Sequence, residues 1–166
     1  QNNIKPIQGE QFFSKNIITT NKWKRFHIKW YNKISKDTRQ KLPVTCSLLD
    51  SCPNIKLAMF SVLSPGTDIT PHRGPYRGAI RCHLGLSCPS KEDGCVLTLD
   101  GEKYGWENGK CLVWDDTYVH EVQNNSNRDR VILFMDINRP VKNNVFAKSF
   151  QKVCNTIASI TTSRHN

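Results

Sequence analysis

The stretch that decides the fold is Gly78-Ala79-Ile80-Arg81-Cys82-His83-Leu84-Gly85-Leu86. Ile80, Cys82, Leu84 and Leu86 alternate with Arg81 and His83, the period-two pattern of a β-strand whose successive side chains point to opposite faces. One face is apolar, and the other carries a permanent cation and an imidazole. An arginine on an inward strand face is costly unless an anion meets it. The strand therefore predicts a β-rich core with a site for an acid on its polar face.

Working outward, short strands alternate with turns. Lys56–Leu63 is apolar and ends at Ser64-Pro65-Gly66, and Thr67–Pro71 is a short extended stretch. Cys95–Leu99 leads into Asp100-Gly101, a hairpin signal, and Lys103–Trp106 returns. Lys110–Trp114, Tyr118–Gln123 and Arg130–Ile137 follow. Such a series predicts a mainly β fold, a sandwich or jelly roll.

The flanks read differently. The first 20 residues are polar and irregular. Phe26, Ile28 and Trp30 alternate, while Trp23, Phe26 and Trp30 have helical spacing, so that segment fits two templates. Ser35 is placed to cap a short helix ending before Pro43, and Pro43–Leu49 to open another. Beyond Arg139-Pro140, Phe146, Phe150, Val153, Ile157 and Ile160 form the stripe of an amphipathic helix over about residues 143–161. The stripe is expected to pack on the outside of the sheet, with dimerisation or membrane-surface contact as alternatives.

A length of 166 residues suits one domain, 1–166, with a core over 55–140, since chains divide mostly beyond roughly 250 residues. No apolar run approaches the roughly 20 residues that span a bilayer, and no signal peptide opens the chain. A cytoplasmic location is the default expectation. Gln1 in place of Met reads as a processed or excised piece, which leaves room for an upstream anchor. The net charge is +10, and residues 1–44 hold ten Lys/Arg against Glu10 and Asp37, a local +8. The plain reading is a solvated basic face. The functional reading is attraction to an acidic peptide, a phosphorylated lipid or nucleic acid, and nucleic acid ranks last because no binding motif accompanies the charge. Seven cysteines without a CxxC pair read mostly as buried thiols, with one or two bridges open.

Three of the five histidines, His72, His83 and His120, sit in the strand-rich region. Imidazole suits iron, copper, nickel or zinc. Arg81 and Arg130 offer planar forks for carboxylates, so two imidazoles and two arginines together fit a metal-bound dicarboxylate. Trp106 and Trp114 read as wall residues.

An ordered set of motifs extends this reading. Phe60-Ser61-Val62-Leu63-Ser64-Pro65-Gly66-Thr67, Pro71-His72-Arg73-Gly74-Pro75 and Arg81-Cys82-His83-Leu84-Gly85-Leu86 come first. Trp106-Glu107-Asn108-Gly109-Lys110, Asp115-Asp116-Thr117, His120-Glu121-Val122 and Arg130-Val131-Ile132-Leu133-Phe134 follow, with Asp136 and Arg139-Pro140. Together they resemble the aspartyl/asparaginyl β-hydroxylase family over about residues 55–140. Lys29-Trp30-Tyr31, Ala58-Met59-Phe60 and Asp100-Gly101 also resemble the lipid A acyl-chain 2-hydroxylase branch. The resemblance implies a double-stranded β-helix (cupin-like jelly roll) with flanking helices, using iron(II), 2-oxoglutarate and O2. By that resemblance His72 and His120 hold the iron, and Arg130 with Ser61 takes the distal carboxylate of 2-oxoglutarate. Arg81 and His83 take the carboxylate nearer the metal.

One departure from the wider oxygenase pattern stands out. The carboxylate ligand common two residues after the first histidine is here Gly74. The peptide-hydroxylating branch also has glycine there, whereas the lipid-hydroxylating branch has aspartate. A water or an anion such as chloride is expected in the vacant position. Asp68, Asp115, Asp116 and Glu121 are candidates for the surroundings of the metal and not for ligation, with Asp115 and Asp116 placed to orient His120 or cap a loop. The expected activity is hydroxylation of the β-carbon of Asp or Asn in a peptide or protein. A lipid acyl chain is the alternative substrate, and a halogenase or a non-catalytic binding module are more remote readings.

Overall fold

The computed structural model describes residues 22–141 and 145–163. The strands are β1 (Trp23–Trp30), β2 (Ile55–Leu63), β3 (Thr67–His72), β4 (Ala79–Ser87), β5 (Cys95–Leu99), β6 (Glu102–Tyr104), β7 (Cys111–Trp114), β8 (His120–Asn124) and β9 (Arg130–Asn138). They form a five-stranded sheet, ordered β1-β2-β9-β4-β7, and a four-stranded sheet, ordered β3-β8-β5-β6. Every ladder between named strands is antiparallel. Helices α1 (Lys36–Lys41) and α2 (Pro43–Asp50) follow β1, and α3 (Val145–Ser163) comes last. The fold is the expected cupin-like jelly roll with flanking helices.

Alternation places the core. Leu57, Met59 and Leu63 of β2 and Ile132 and Phe134 of β9 meet Ile69, Leu97 and Val122 of the smaller sheet. On the outer side of the larger sheet, Ile28, Ala58, Cys82 and Met135 cluster with Cys46 and Leu49 of α2. The apolar face of β4 therefore turns toward this outer layer, leaving Arg81 and His83 for the inner one. Leu86 departs from the expected pattern at 42% exposure. The β4–β9 register shifts between Gly85 and Ser87, so alternation fails at that strand end.

Local chemistry sets the boundaries. The Trp23–Trp30 ambiguity resolves as a strand, because β1 pairs from Trp23 to Trp30 with Leu63 to Leu57 of β2. Ser35 caps α1, its Oγ accepting from Thr38 N at 3.0 Å. Asp100 and Gly101 both have positive φ, 50° and 85°, the conformation a two-residue primed hairpin turn requires. The strand expected over Lys103–Trp106 stops at Tyr104, and Trp106 turns inward to the core. Tyr118 and Val119 stay exposed ahead of β8. All seven cysteines are free thiols; only Cys46, Cys82 and Cys95 are buried, fewer than the composition implied.

The C-terminal helix is where the sequence expectation is corrected. α3 forms, but Phe150, Val153 and Ile157 of its stripe are exposed rather than packed on the sheet. Instead Gln151 Nε2 donates to the Arg139 carbonyl at 2.8 Å and Asn155 Nδ2 to Asn138 Oδ1 at 3.2 Å. The side chains of Phe146 and Ile160, and residues 1–21, lie outside the described residues. No helix among the described residues is long and apolar enough to cross a membrane. Ile132→Ala, at a site with no exposure, is expected to cost about 2–5 kcal/mol in urea denaturation. Phe150→Ala is expected to stay within about 0.5 kcal/mol.

Candidate active site

His72 ends β3 and His120 begins β8, and the two are direct cross-strand partners. Their ring centroids lie 4.2 Å apart. His72 Nδ1 bonds the Thr70 carbonyl at 2.8 Å and His120 Nδ1 the Tyr118 carbonyl at 2.9 Å. A carbonyl only accepts, so both Nδ1 atoms carry the proton and both Nε2 atoms keep a lone pair. Burial lowers the pKa of each ring, with Arg81 adding repulsion; that of His120 falls to about 4. The pair is neutral at pH 7, the state a metal requires. Among the described residues no third His, Cys, Asp or Glu completes a metal cluster.

The space beside Gly74 is occupied by Asp116. A Cβ added at Gly74 would fall on the Asp116 carboxylate, and Gly74 N donates to the Asp116 carbonyl at 2.7 Å. That close approach explains why glycine stands here. Asp116 Oδ2 accepts from Arg81 Nη2 at 2.7 Å, and Arg81 Nε donates to Asp136 Oδ1 at 2.7 Å. The inward arginine that the β4 pattern flagged is thus met by two carboxylates of the protein itself, and its guanidinium lies 4.1 Å over the Phe134 ring. Burial raises the Asp116 pKa, and Arg81 opposes that rise.

The other end of the inner layer has donors in excess. Arg130 is 2% exposed, stacks 4.7 Å over Trp106, and forms no ion pair with a described residue. Burial pulls its pKa down to about 10, leaving it charged at pH 7. Its Nε has no hydrogen-bond partner among the described residues. Ser61 Oγ accepts from Arg130 Nη2 at 3.3 Å and Trp23 Nε1 at 2.8 Å, so its own proton remains to be donated. Trp106 Nε1 donates to His83 Nδ1 at 3.2 Å, which places the His83 proton on Nε2, a buried atom without a partner among the described residues. Burial, then Arg130 and Arg81, hold the His83 pKa well below its ordinary value, so it too is neutral. The rings connect the two ends: Trp114 lies 4.6 Å from His83 and 6.0 Å from His120. Buried cations and N–H groups cost several kcal/mol without acceptors. The arrangement can accept an anion at Arg130 and a metal at the two Nε2 atoms, a match to a metal-bound dicarboxylate.

The structure therefore brings His72, His120, Arg81, His83, Ser61 and Arg130 onto facing inner surfaces. Asp115 is drawn instead to Arg139 at 2.6 Å and to Thr117, so it braces the loop before His120. The bond from Trp23 to Ser61 was not expected from the sequence. It is placed by β1–β2 pairing, and only the inward parity of Trp23 and Ser61 could have signalled it. The partners of Arg81 are a register effect, since Arg81 and Asp136 are direct cross-strand neighbours. Outside the histidines, Arg73, Arg77, Asp115, Thr117, Tyr118 and Arg139 line an open cavity of about 500 Å3.

These environments make stability depend on pH. The unfolded chain takes up protons at the ordinary histidine value of 6.5, whereas folded His27 and His120 resist until about 4. The stabilisation is complete above about pH 6.5 and is lost as the pH falls toward 4. Metal-free protein is expected to show a lower urea midpoint at pH 5 than at pH 7. The loss from His120 alone is roughly 1–2 kcal/mol; an unchanged or higher midpoint at pH 5 contradicts the assigned environments.

The family model described as Aspartyl/Asparaginyl beta-hydroxylase matches residues 1–140. The chain is 37% identical over 128 residues to the ornithine lipid ester-linked acyl 2-hydroxylase of Rhizobium tropici, covering 77% of this chain and 46% of that protein. It is 31% identical over 130 residues to the aspartyl/asparaginyl beta-hydroxylase of Homo sapiens, covering 75% of this chain and 17% of that protein. It thus spans less than half the length of these curated relatives. A Cupin_2 domain of an XRE family transcriptional regulator from Enterobacter cloacae superposes with a TM-score of 0.49 at 11% identity, covering 72% of this chain and 99% of that one. The chain belongs to the aspartyl/asparaginyl β-hydroxylase family.

Proposed function

We propose that this chain is an iron(II)- and 2-oxoglutarate-dependent dioxygenase that hydroxylates an unactivated carbon. The observation that carries the reading is the set of buried donors without acceptors among the described residues, Arg130 Nε and His83 Nε2, at the end of a layer that begins with two imidazole lone pairs. His72 and His120 would hold the metal through Nε2. Bound iron supplies the dioxygen chemistry, in which 2-oxoglutarate is decarboxylated to succinate and one oxygen atom enters the substrate C–H bond.

The protein's part is positioning. Arg130 and the Ser61 hydroxyl, oriented by Trp23, bind the distal carboxylate. His83 Nε2–H and the remaining N–H groups of the Arg81 fork meet the carboxylate nearer the metal. Asp116 and Asp136 fix that fork, and Gly74, having no side chain, would supply no third ligand to the metal. Trp106, Trp114 and Phe134 wall the layer against water.

For the substrate, the β-carbon of Asp or Asn in a peptide is the first reading, supported by Gly74 and by the activity named for the human relative. An acyl chain is the second, supported by the higher identity to the Rhizobium tropici enzyme. The test is incubation with iron(II), 2-oxoglutarate and O2 against Asp/Asn peptides and acyl lipids, reading succinate and the gain of one oxygen atom by mass. Oxygen gained only by lipids overturns the first reading; no succinate from any substrate, or from the protein alone, overturns the enzyme. Arg130→Ala is expected to weaken 2-oxoglutarate binding by about 2–5 kcal/mol, and wild-type affinity in that variant refutes its assignment.

A further inference from the structure

The open cavity of about 500 Å3 has the chain neighbours of both histidines as its walls. Arg73 follows His72 directly, and Tyr118, whose carbonyl accepts from His120 Nδ1, stands two residues before His120. The loop that carries Arg73 and Arg77 is tied down at three points. Gly74 N donates to the Asp116 carbonyl, Tyr76 OH to Asn155 Oδ1 of α3, and Arg139 Nε to the Arg77 carbonyl, each at 2.7 Å. The backbone under both arginines is therefore held before anything binds, which lowers the ordering cost of binding.

Charge and hydrogen bonding describe what the cavity takes. Arg73, Arg77 and Arg139 face a single lining acid, Asp115, so two of the three positive charges are uncompensated there. Asp115 is spent on its own loop: Oδ2 pairs with Arg139 at 2.6 Å, and Oδ1 accepts from Thr117 N and Oγ1. The acids of the adjoining layer, Asp116 and Asp136, hold Arg81. Arg73 gives Nη1 to the Thr117 carbonyl at 3.1 Å and keeps its other N–H groups. The Arg77 guanidinium and the Tyr118 hydroxyl make no hydrogen bond with a described residue. A wall of donors whose carboxylate is already used recognises an oxyanion, and a guanidinium fork matches a carboxylate at two points. No Leu, Ile, Val, Met or Phe lines the cavity, so an acyl chain has little to pack on. The net charge of +10 adds a longer-range preference for an acidic partner.

We propose that this cavity is a specificity subsite for an acidic residue flanking the Asp or Asn to be hydroxylated, with Arg77 and Arg73 binding its carboxylate. The proposal rests on the peptide reading of the proposed function, and it is tested by binding as well as by turnover. Three fluorescein-labelled peptides share one central Asp and carry Glu, Gln or Lys at the flanking positions. Their binding to the chain, with manganese(II) and 2-oxoglutarate present, is followed by fluorescence anisotropy. The Glu peptide is expected to bind at least about tenfold more tightly than the Gln peptide, and the Lys peptide most weakly. R77Q and R73Q/R77Q are each expected to remove most of that preference, with circular dichroism and 2-oxoglutarate affinity unchanged. K103Q, which removes one exposed charge outside the cavity, is expected to keep it. Equal binding of the Glu and Gln peptides, no binding of the Glu peptide, or a preference that K103Q lowers as much as R77Q overturns the proposal. So does Arg77-dependent binding of phosphatidic acid bicelles in place of the Glu peptide, which assigns the cavity to a lipid phosphate. Turnover with iron(II) separates the two readings. Oxygen gained equally by the Glu and Gln peptides removes the subsite and leaves peptide hydroxylation. Arg77-dependent binding of the Glu peptide without oxygen gain supports the acid-binding cavity and contradicts peptide hydroxylation.

Discussion

The site depends on one extra residue in β3. Ile69 faces Val122 and His72 faces His120, so three steps along β3 answer two along β8. Without the insertion, strict alternation from Thr67 and Ile69, both buried, would carry Pro71 inward and His72 out. The bulge falls at Thr70-Pro71, where proline has no N–H to contribute to the ladder. It reverses the parity and brings His72 opposite His120. On β8, His120, Val122 and Asn124 keep plain alternation and are all buried. Asn124 then ties the strand end to the other sheet, its Nδ2 donating to the Leu63 carbonyl at 2.8 Å.

Around that pair the inner layer divides its charge unequally. Arg81 is neutralised within the protein by Asp116 and Asp136, at 2.7 Å each. Arg130 is more deeply buried and has no such partner among the described residues. A buried guanidinium with an orphaned Nε destabilises the fold unless something else supplies the acceptor. In the proposed function, the stability forgone at Arg130 would be the physical counterpart of affinity for a carboxylate ligand. Arg81 also holds Asp116 in the space that Gly74 leaves, next to the histidines.

Much of this was legible in the sequence, for reasons that can be named. The β4 alternation fixes strand type and inward polarity together, and the Asp-Gly turn fixes a hairpin, because both depend on neighbours in the chain. The residue types at His72, His120, Arg81, His83 and Arg130 carry their chemistry wherever they are placed. What could not be read were effects of register and of three-dimensional competition. The bulge at Pro71, the Arg81–Asp136 pairing and the Trp23–Ser61 bond each depend on which strand lies alongside which. The α3 stripe misled for a related reason. Periodicity reports that a helix has two faces, but not which of them the rest of the chain takes up. Here Tyr76, Asn138 and the Arg139 carbonyl offered hydrogen bonds to the polar one.

The central claim is that the two histidines and the buried donors form one site for a metal-bound dicarboxylate. Its most direct test is calorimetric titration of 2-oxoglutarate into the chain with and without manganese(II), a redox-silent stand-in for iron. Binding to both groups at once makes each tighten the other by linkage. The account predicts one 2-oxoglutarate per chain, bound at least about tenfold more tightly when the metal is present. Equal affinity with and without manganese, or no binding in either case, would contradict it.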